Sequence, residues 1–302
     1  MPQERSGNNR FQFKCLGARL ADSSRQFNRA ASYLFVMQTN HRSRNPERFD
    51  GIGAKIQRAE ELIAELSAID SGFKSVTCSM EVADSKIDGH SQLELVLPDV
   101  PLSVPTLVGD ALNNLRTSLD YLIWQIVDAN NFAEPSRKNM FPIAINSEKY
   151  RQQCKSGRLN GVPHLAANQI EKLQPYNGDD NQWLRILNDL VNRDKHQNLN
   201  YAVAIASDIE LQCYRNGECI LNLMVGNDEL RNGGPFGGIA FPSNLLNQRE
   251  VRILGVASAS IAFRDGIIAE ELFVTNTLGS IAEFVKYEVI DVLWEYVEHV
   301  SE

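Results

Sequence analysis

Two stretches of the chain concentrate side chains capable of polar chemistry. In 108–127, VGDALNNLRTSLDYLIWQIV, the residues Asp110, Asn113, Asn114, Arg116, Thr117, Asp120 and Tyr121 form a dense band of hydrogen-bonders. In 187–199, LNDLVNRDKHQNL, helical spacing puts Asp189, Arg193 and His196 on one line and Asn188, Asn192 and Lys195 on the next. A merely solvated helix face more often carries Lys and Glu. A guanidinium is a planar fork that can hold a carboxylate and an amide oxygen together. Asn113, Arg116 and Asp120 facing Asp189, Asn192 and Arg193 would therefore either pair across a partly buried seam or, with the helices splayed, bind a ligand in a small cleft. Other chemistries lack their motifs: there is no Gly-rich loop ending in Gly-Lys-Ser/Thr, no H-E-x-x-H and no G-x-S-x-G. His41, His90, His164 and His299 are scattered, so neither a metal nor a cofactor is expected.

The elements that must position these residues follow from apolar periodicity. Leu112, Leu115, Leu119, Leu122, Ile123 and Ile126 draw one stripe along the first helix, with Pro105 in its opening turn and Asn130-Asn131 closing it. Trp183, Leu184, Leu187, Leu190 and Val191 do the same for a helix over 180–195, with Asp179-Asp180 as its cap. Upstream, Ile52, Ile56, Ala59, Leu62, Ile63, Leu66 and Ile69 predict a helix capped by Asp50 and stopped at Gly72. Strands are expected at 75–83 and 91–97, a short buried extended piece at FPIAI, and short helices at 147–154 and 165–173. A β-rich block spans 199–263, with strands at 201–206, 209–214, 218–225 and one longer strand within 250–263. A last helix covers 276–298. Helices at both ends enclosing strands predict a single α+β domain over 49–302, a helical bundle packed against an antiparallel β-sheet.

The 302 residues are 43% hydrophobic with a net charge of −8. Residues 1–48 hold nine Lys/Arg against three acids, leaving 21 basic and 35 acidic residues beyond them, a net −14. So acidic a body has no general attraction for nucleic acid, and RNA is not favoured as a partner. The first 48 residues lack caps and apolar periodicity. Arg-rich and acid-poor, they superficially fit a transit peptide, but a disordered extension or an over-long reading frame with its true start at Met37 is preferred. No apolar run reaches the roughly 18 residues of a membrane helix, so no membrane association is expected. Five cysteines with no C-x-x-C pair suit a reducing cytoplasm. Cys213 and Cys219 flank a hairpin turn at Asn216-Gly217, whose register would set Tyr214 opposite Cys219 and Cys213 opposite Ile220.

The pair GDALNNLRTSLDYLIW and LNDLVNRDKHQNL resembles a family of uncharacterised bacterial proteins with a G-D-A-L-H-N-L-R-S-A-L-D-H helix and a later D-K-H-R. The likeness spans most of 49–298, including Phe141-Pro142-Ile143 and Gln174-Pro175-Tyr176. It implies a soluble bacterial protein with a shared polar helix pair and no defined activity. An Arg followed after four residues by His is also similar to the motif of HEPN ribonucleases, in which two motifs meet across a dimer to cut RNA. That second resemblance implies a homodimer and a catalytic set in which Arg116 stabilises phosphate charge. His196, reaching from the other helix, would move the 2′-hydroxyl proton. Tyr121 stands where the family has His, and a phenol with a pKa near 10 is a poor base at neutral pH. The favoured reading is a non-catalytic binding protein with a polar helix-pair pocket; the alternative is a HEPN-like endoribonuclease or a degenerate relative.

Overall fold

The computed structural model describes residues 46–73, 76–84, 90–96, 99–196, 199–205, 209–215, 217–225, 240–242, 251–257, 259–264 and 272–298. Side chains are described for the helices and their connections, for 259–264 and for a few positions between 199 and 222. The chain divides into the units Met1–Pro46 and Glu47–Glu302. The expected extension at 1–48 lies, up to residue 45, outside the described residues.

Helix α1 (Pro46–Ser71) starts four residues before the expected cap, so Asp50 lies inside it, and it stops ahead of Gly72 as the sequence predicts. Helix α2 (Val104–Asn130) carries Pro105 in its first turn and ends where Asn131 turns left-handed at φ 54°. The extended piece at 140–144 buries Phe141, Ile143 and Ala144. It leads into α3 (Ser147–Lys155), capped by Asn146 accepting from the Lys149 amide, and α4 (His164–Lys172). Asp179 and Asp180 form a tight turn with Asn181 ahead of α5 (Gln182–His196). The C-terminal helix is not uniform. It begins as α6 (Val274–Glu283), widens into π-type turns over Phe284–Ile290 and resumes as α7 (Asp291–Glu298).

Among the described residues eight strands pair antiparallel: β1 (Val76–Asp84), β2 (His90–Val96), β3 (Asn200–Ile205), β4 (Ile209–Arg215), β5 (Glu218–Val225), β6 (Ala240–Pro242), β7 (Val251–Ala257) and β8 (Ala259–Arg264). Their backbones run in the order β5-β4-β7-β1-β2-β6, with β3 and β8 forming a separate pair. The single long strand expected within 250–263 is thus two strands with different neighbours. Across the β4–β5 hairpin, Tyr214 does face Cys219. Cys213 faces Leu221 rather than the expected Ile220, because the register shifts at a bulge between Cys213 and Tyr214.

The expected fold class, a helical bundle packed against an antiparallel sheet, is overturned. Among the residues described to the side chain, 69% are helical and 8% lie in strands. No sheet face carries the helices there; the core is helix on helix. The strand contribution to it is Ala259, Ile261 and Phe263 of β8, with Tyr201 of β3 at its margin. The physical reason lies in α2. Leu112, Leu115, Leu119, Leu122, Ile123 and Ile126 are all fully buried, as are Val104, Val108, Ala111 and Val127 around them. A helix so widely apolar needs cover on several sides, and α5, α6, the π-type turns and α7 all pack on it. Helix α1 crosses the same body. Arg48 reaches the Asp128 carboxylate at 2.9 Å, Glu60 holds Lys286 at 2.8 Å, and Phe49 meets Trp294 edge-on. At its far end buried Asp70 accepts from the Ser260 hydroxyl at 2.6 Å and the Ile261 amide at 2.7 Å, tying α1 to β8.

Candidate functional site

The two polar stretches come together. Gly109, Asn113, Arg116 and Asp120 recur at four, three and four residues, which aligns them on one face of α2. The C-terminal end of α5 approaches that face at Gly109: a Cβ built there would lie 2.8 Å from both carboxylate oxygens of Asp194. Asn113 hydrogen-bonds the same carboxylate, and Asp110, Lys195 and Tyr201 act on it or feel its charge. Burial, opposed by the Asn113 bond and reinforced by Asp110, pushes the Asp194 carboxyl above its ordinary range. Burial likewise pushes the Tyr201 phenol up, with Asp194 adding to the effect.

Farther along the face sits a buried charge. Arg116 is buried, and its Nη2 donates both to Asp120 Oδ1 at 2.9 Å and to the Phe141 carbonyl at 2.6 Å. Asp120 Oδ1 also accepts from the Phe141 amide at 2.9 Å. The ion pair thus grips both polar groups of one residue in the extended piece. Gln174, wholly buried, grips the same piece from the other side. It donates to the Pro142 carbonyl at 2.9 Å and accepts from the Ala144 amide at 2.9 Å. Desolvation dominates the pair: it lowers the Arg116 pKa against the pull of Asp120, and raises that of Asp120 against Arg116, the Phe141 amide and two further cations, Arg158 and Lys195. Arg116 Nη1 is buried without a hydrogen-bond partner among the described residues.

The other expected residues lie apart from this face. Tyr121 is 43% exposed and its ring lies against Gly51 of α1. His196 is exposed at the end of α5. No described contact joins Arg116, Tyr121 and His196 into the expected catalytic set. Among the expected binding residues, Asn113 and Asp120 lie in the seam. Asp189 and Arg193 pair with each other along α5 at 3.6 Å, without reaching Arg116, and Asn192 is exposed. The remaining residues at or near this face of α2, Gly109, Asp194 of α5 and Arg158 from the α3–α4 connection, were not singled out by spacing. For Gly109 a signal existed: a glycine inside a helix costs about 1 kcal/mol against alanine, so its presence asks for a close neighbour. Arg158 follows a glycine turn between α3 and α4 and carries no periodic mark.

No helix among the described residues is long and apolar enough to cross a membrane, and no cluster of His, Cys, Asp or Glu among them could hold a metal ion. No family model, curated protein or solved structure matches the chain.

Proposed function

We propose that this chain is a non-catalytic binding protein that acts through the polar seam between α2 and α5. The observation that carries this reading is how the polar residues of α2 are divided. Arg116 is buried and committed to Asp120 and the Phe141 carbonyl, while Tyr121 turns to α1 and His196 stands in solvent at the end of α5. Ribonuclease chemistry needs a base and a charge-stabilising cation within reach of one phosphate. A half-exposed free thiol at Cys154, which burial pushes above its usual pKa, fits a protein working in a reducing compartment.

The test is incubation of the purified full chain with single-stranded and hairpin RNA. The expected outcome is no cleavage above a buffer control. Because Arg116 is structural, loss of activity in Arg116→Ala would not discriminate, whereas His196 is exposed. Cleavage by the wild type that vanishes in His196→Ala, with the melting temperature unchanged, would replace this reading with the HEPN-like alternative. Cleavage gained in Tyr121→His would identify a degenerate nuclease.

A further inference from the structure

The C-terminal helix carries two apolar stripes offset by one residue, and beyond Glu283 the fold buries the later one. Continued in α-helical phase from Ile281 and Val285, the core-facing positions would be Val289, Val292 and Tyr296. The residues buried from there on are instead Val289, Ile290, Leu293, Trp294 and Val297, while Val292 and Tyr296 are half-buried. Positions 292 and 296 have each handed their place to the next residue. A π-type turn does this, because it takes up one extra residue and moves every later one along by a position. The turns over Phe284–Ile290 thus hold one residue more than an α-helix would. Helix α1 fastens this arrangement at two points. Glu60 accepts from Lys286, in the middle of the turns, at 2.8 Å, and Phe49 meets Trp294 with ring centroids 5.1 Å apart. The Lys286 side chain is only 16% exposed, so the ion pair is partly shielded from water and salt.

We propose that the C-terminal helix has two registers, and that the Lys286–Glu60 bond to α1 holds it in the one seen here. In the second, the turns over Phe284–Ile290 tighten to α-helix, and α7 rotates by about 100° and moves by about 1.5 Å along its axis. Val292 and Tyr296 then enter the core, and Ile290, Trp294 and Val297 leave it. Neither stripe contains a charged residue, so neither register has to bury one. Two packings that differ by a few apolar side chains are what a bistable element requires. The register change does not depend on what the seam between α2 and α5 binds.

The test is pulsed maleimide labelling of the full chain carrying Ile290→Cys or Val292→Cys, read peptide by peptide by mass spectrometry. That readout keeps the five native cysteines out of the comparison. Glu60→Gln is then added to each variant. With the bond to α1 weakened, the thiol at 290 should label at least about threefold faster and the thiol at 292 no faster. Fraying from the chain end would reach 292 before 290. An equal or larger rise at 292 therefore overturns the proposal, as does unchanged labelling at 290. Deletion of Glu288, which is exposed within the turns, removes the surplus residue and should leave α7 in its present register with Trp294 buried. The shortened chain should melt within about 5 °C of wild type, and Glu60→Gln should no longer speed labelling of Ile290→Cys. The deletion needs no added cysteine, so its melt decides even if Ile290→Cys does not fold. A chain that fails to fold without Glu288, or melts lower than that, overturns the proposal.

Discussion

Arg116–Asp120 on α2 and Asp189–Arg193 on α5 are the same pair of residue types at the same four-residue spacing. In the second, the acid precedes the base, the order that the helix dipole favours; in the first the order is reversed. On helix electrostatics alone the α5 pair should be the stronger. The fold reverses this. The α2 pair closes to 2.9 Å with side chains only 10% and 23% exposed, whereas the α5 pair stands at 3.6 Å and 33% and 38%. The α2 pair also has a third partner: Phe141 gives its carbonyl to Arg116 and its amide to Asp120. What holds the α2 pair in place is Phe141, a residue that arrives from elsewhere in the chain, and pairing along one helix cannot reveal it.

That contrast can be broken most severely by truncation. Arg116→Ala removes the cation from a half-buried carboxylate and leaves the Phe141 carbonyl unpaired, and should cost about 3–5 kcal/mol in chemical unfolding. Arg193→Ala should cost about 0–1 kcal/mol. Comparable losses would mean that burial does not distinguish the pairs.

Two helix glycines sharpen the same lesson at smaller scale. A Cβ at Gly109 would stand 2.8 Å from the Asp194 oxygens, while at Gly279 of α6 nothing lies within 4 Å. Gly109→Ala should therefore destabilise by about 1–3 kcal/mol through overpacking. Gly279→Ala should stabilise by about 0.5–1 kcal/mol through helix propensity. Stabilisation by both would remove Asp194 from contact with α2.

The smallest expected effect is a pH slope. The Asp194 carboxyl lies above its unfolded value, chiefly through burial. The native state then holds this proton more tightly than the unfolded chain does. The contribution is full below the unfolded pKa and is lost as pH rises through the native one. Asp194→Asn should flatten the fall in stability across that acidic window, read from melts at stepped pH. An unchanged slope would show that Asp194 is solvated.

Much of the helical framework is legible in the sequence. The stripe Leu112–Ile126 is buried as its spacing requires, Asn131 closes its helix by turning left-handed, and α1 ends just before Gly72. What escaped are features fixed by distant partners. The apolar run at 250–263 looks like one strand, but β7 pairs with β1 and β4 while β8 pairs with β3. The C-terminal stripe continues without interruption through the π-type turns at Phe284–Ile290, so periodicity gave no sign of them. Among the residues described to the side chain the sheet expected beneath the helices is no core layer, and α2 is covered by other helices instead. In the seam, Asn113 and Asp120 were identifiable by type. The partners that decide their roles, Asp194 and Phe141, lie 81 and 21 residues away in sequence.

Arg116 and Asp120 form a structural pair on α2, closed at 2.9 Å and clamped on both polar groups of Phe141. A double-mutant cycle on these two residues, by denaturant unfolding of Arg116→Ala, Asp120→Ala and the double variant, tests it most directly. The predicted coupling is above about 1.5 kcal/mol, against less than about 0.5 kcal/mol for Asp189 and Arg193. A coupling for Arg116 and Asp120 no larger than that of the α5 pair, with Arg116→Ala as stable as wild type, would contradict it.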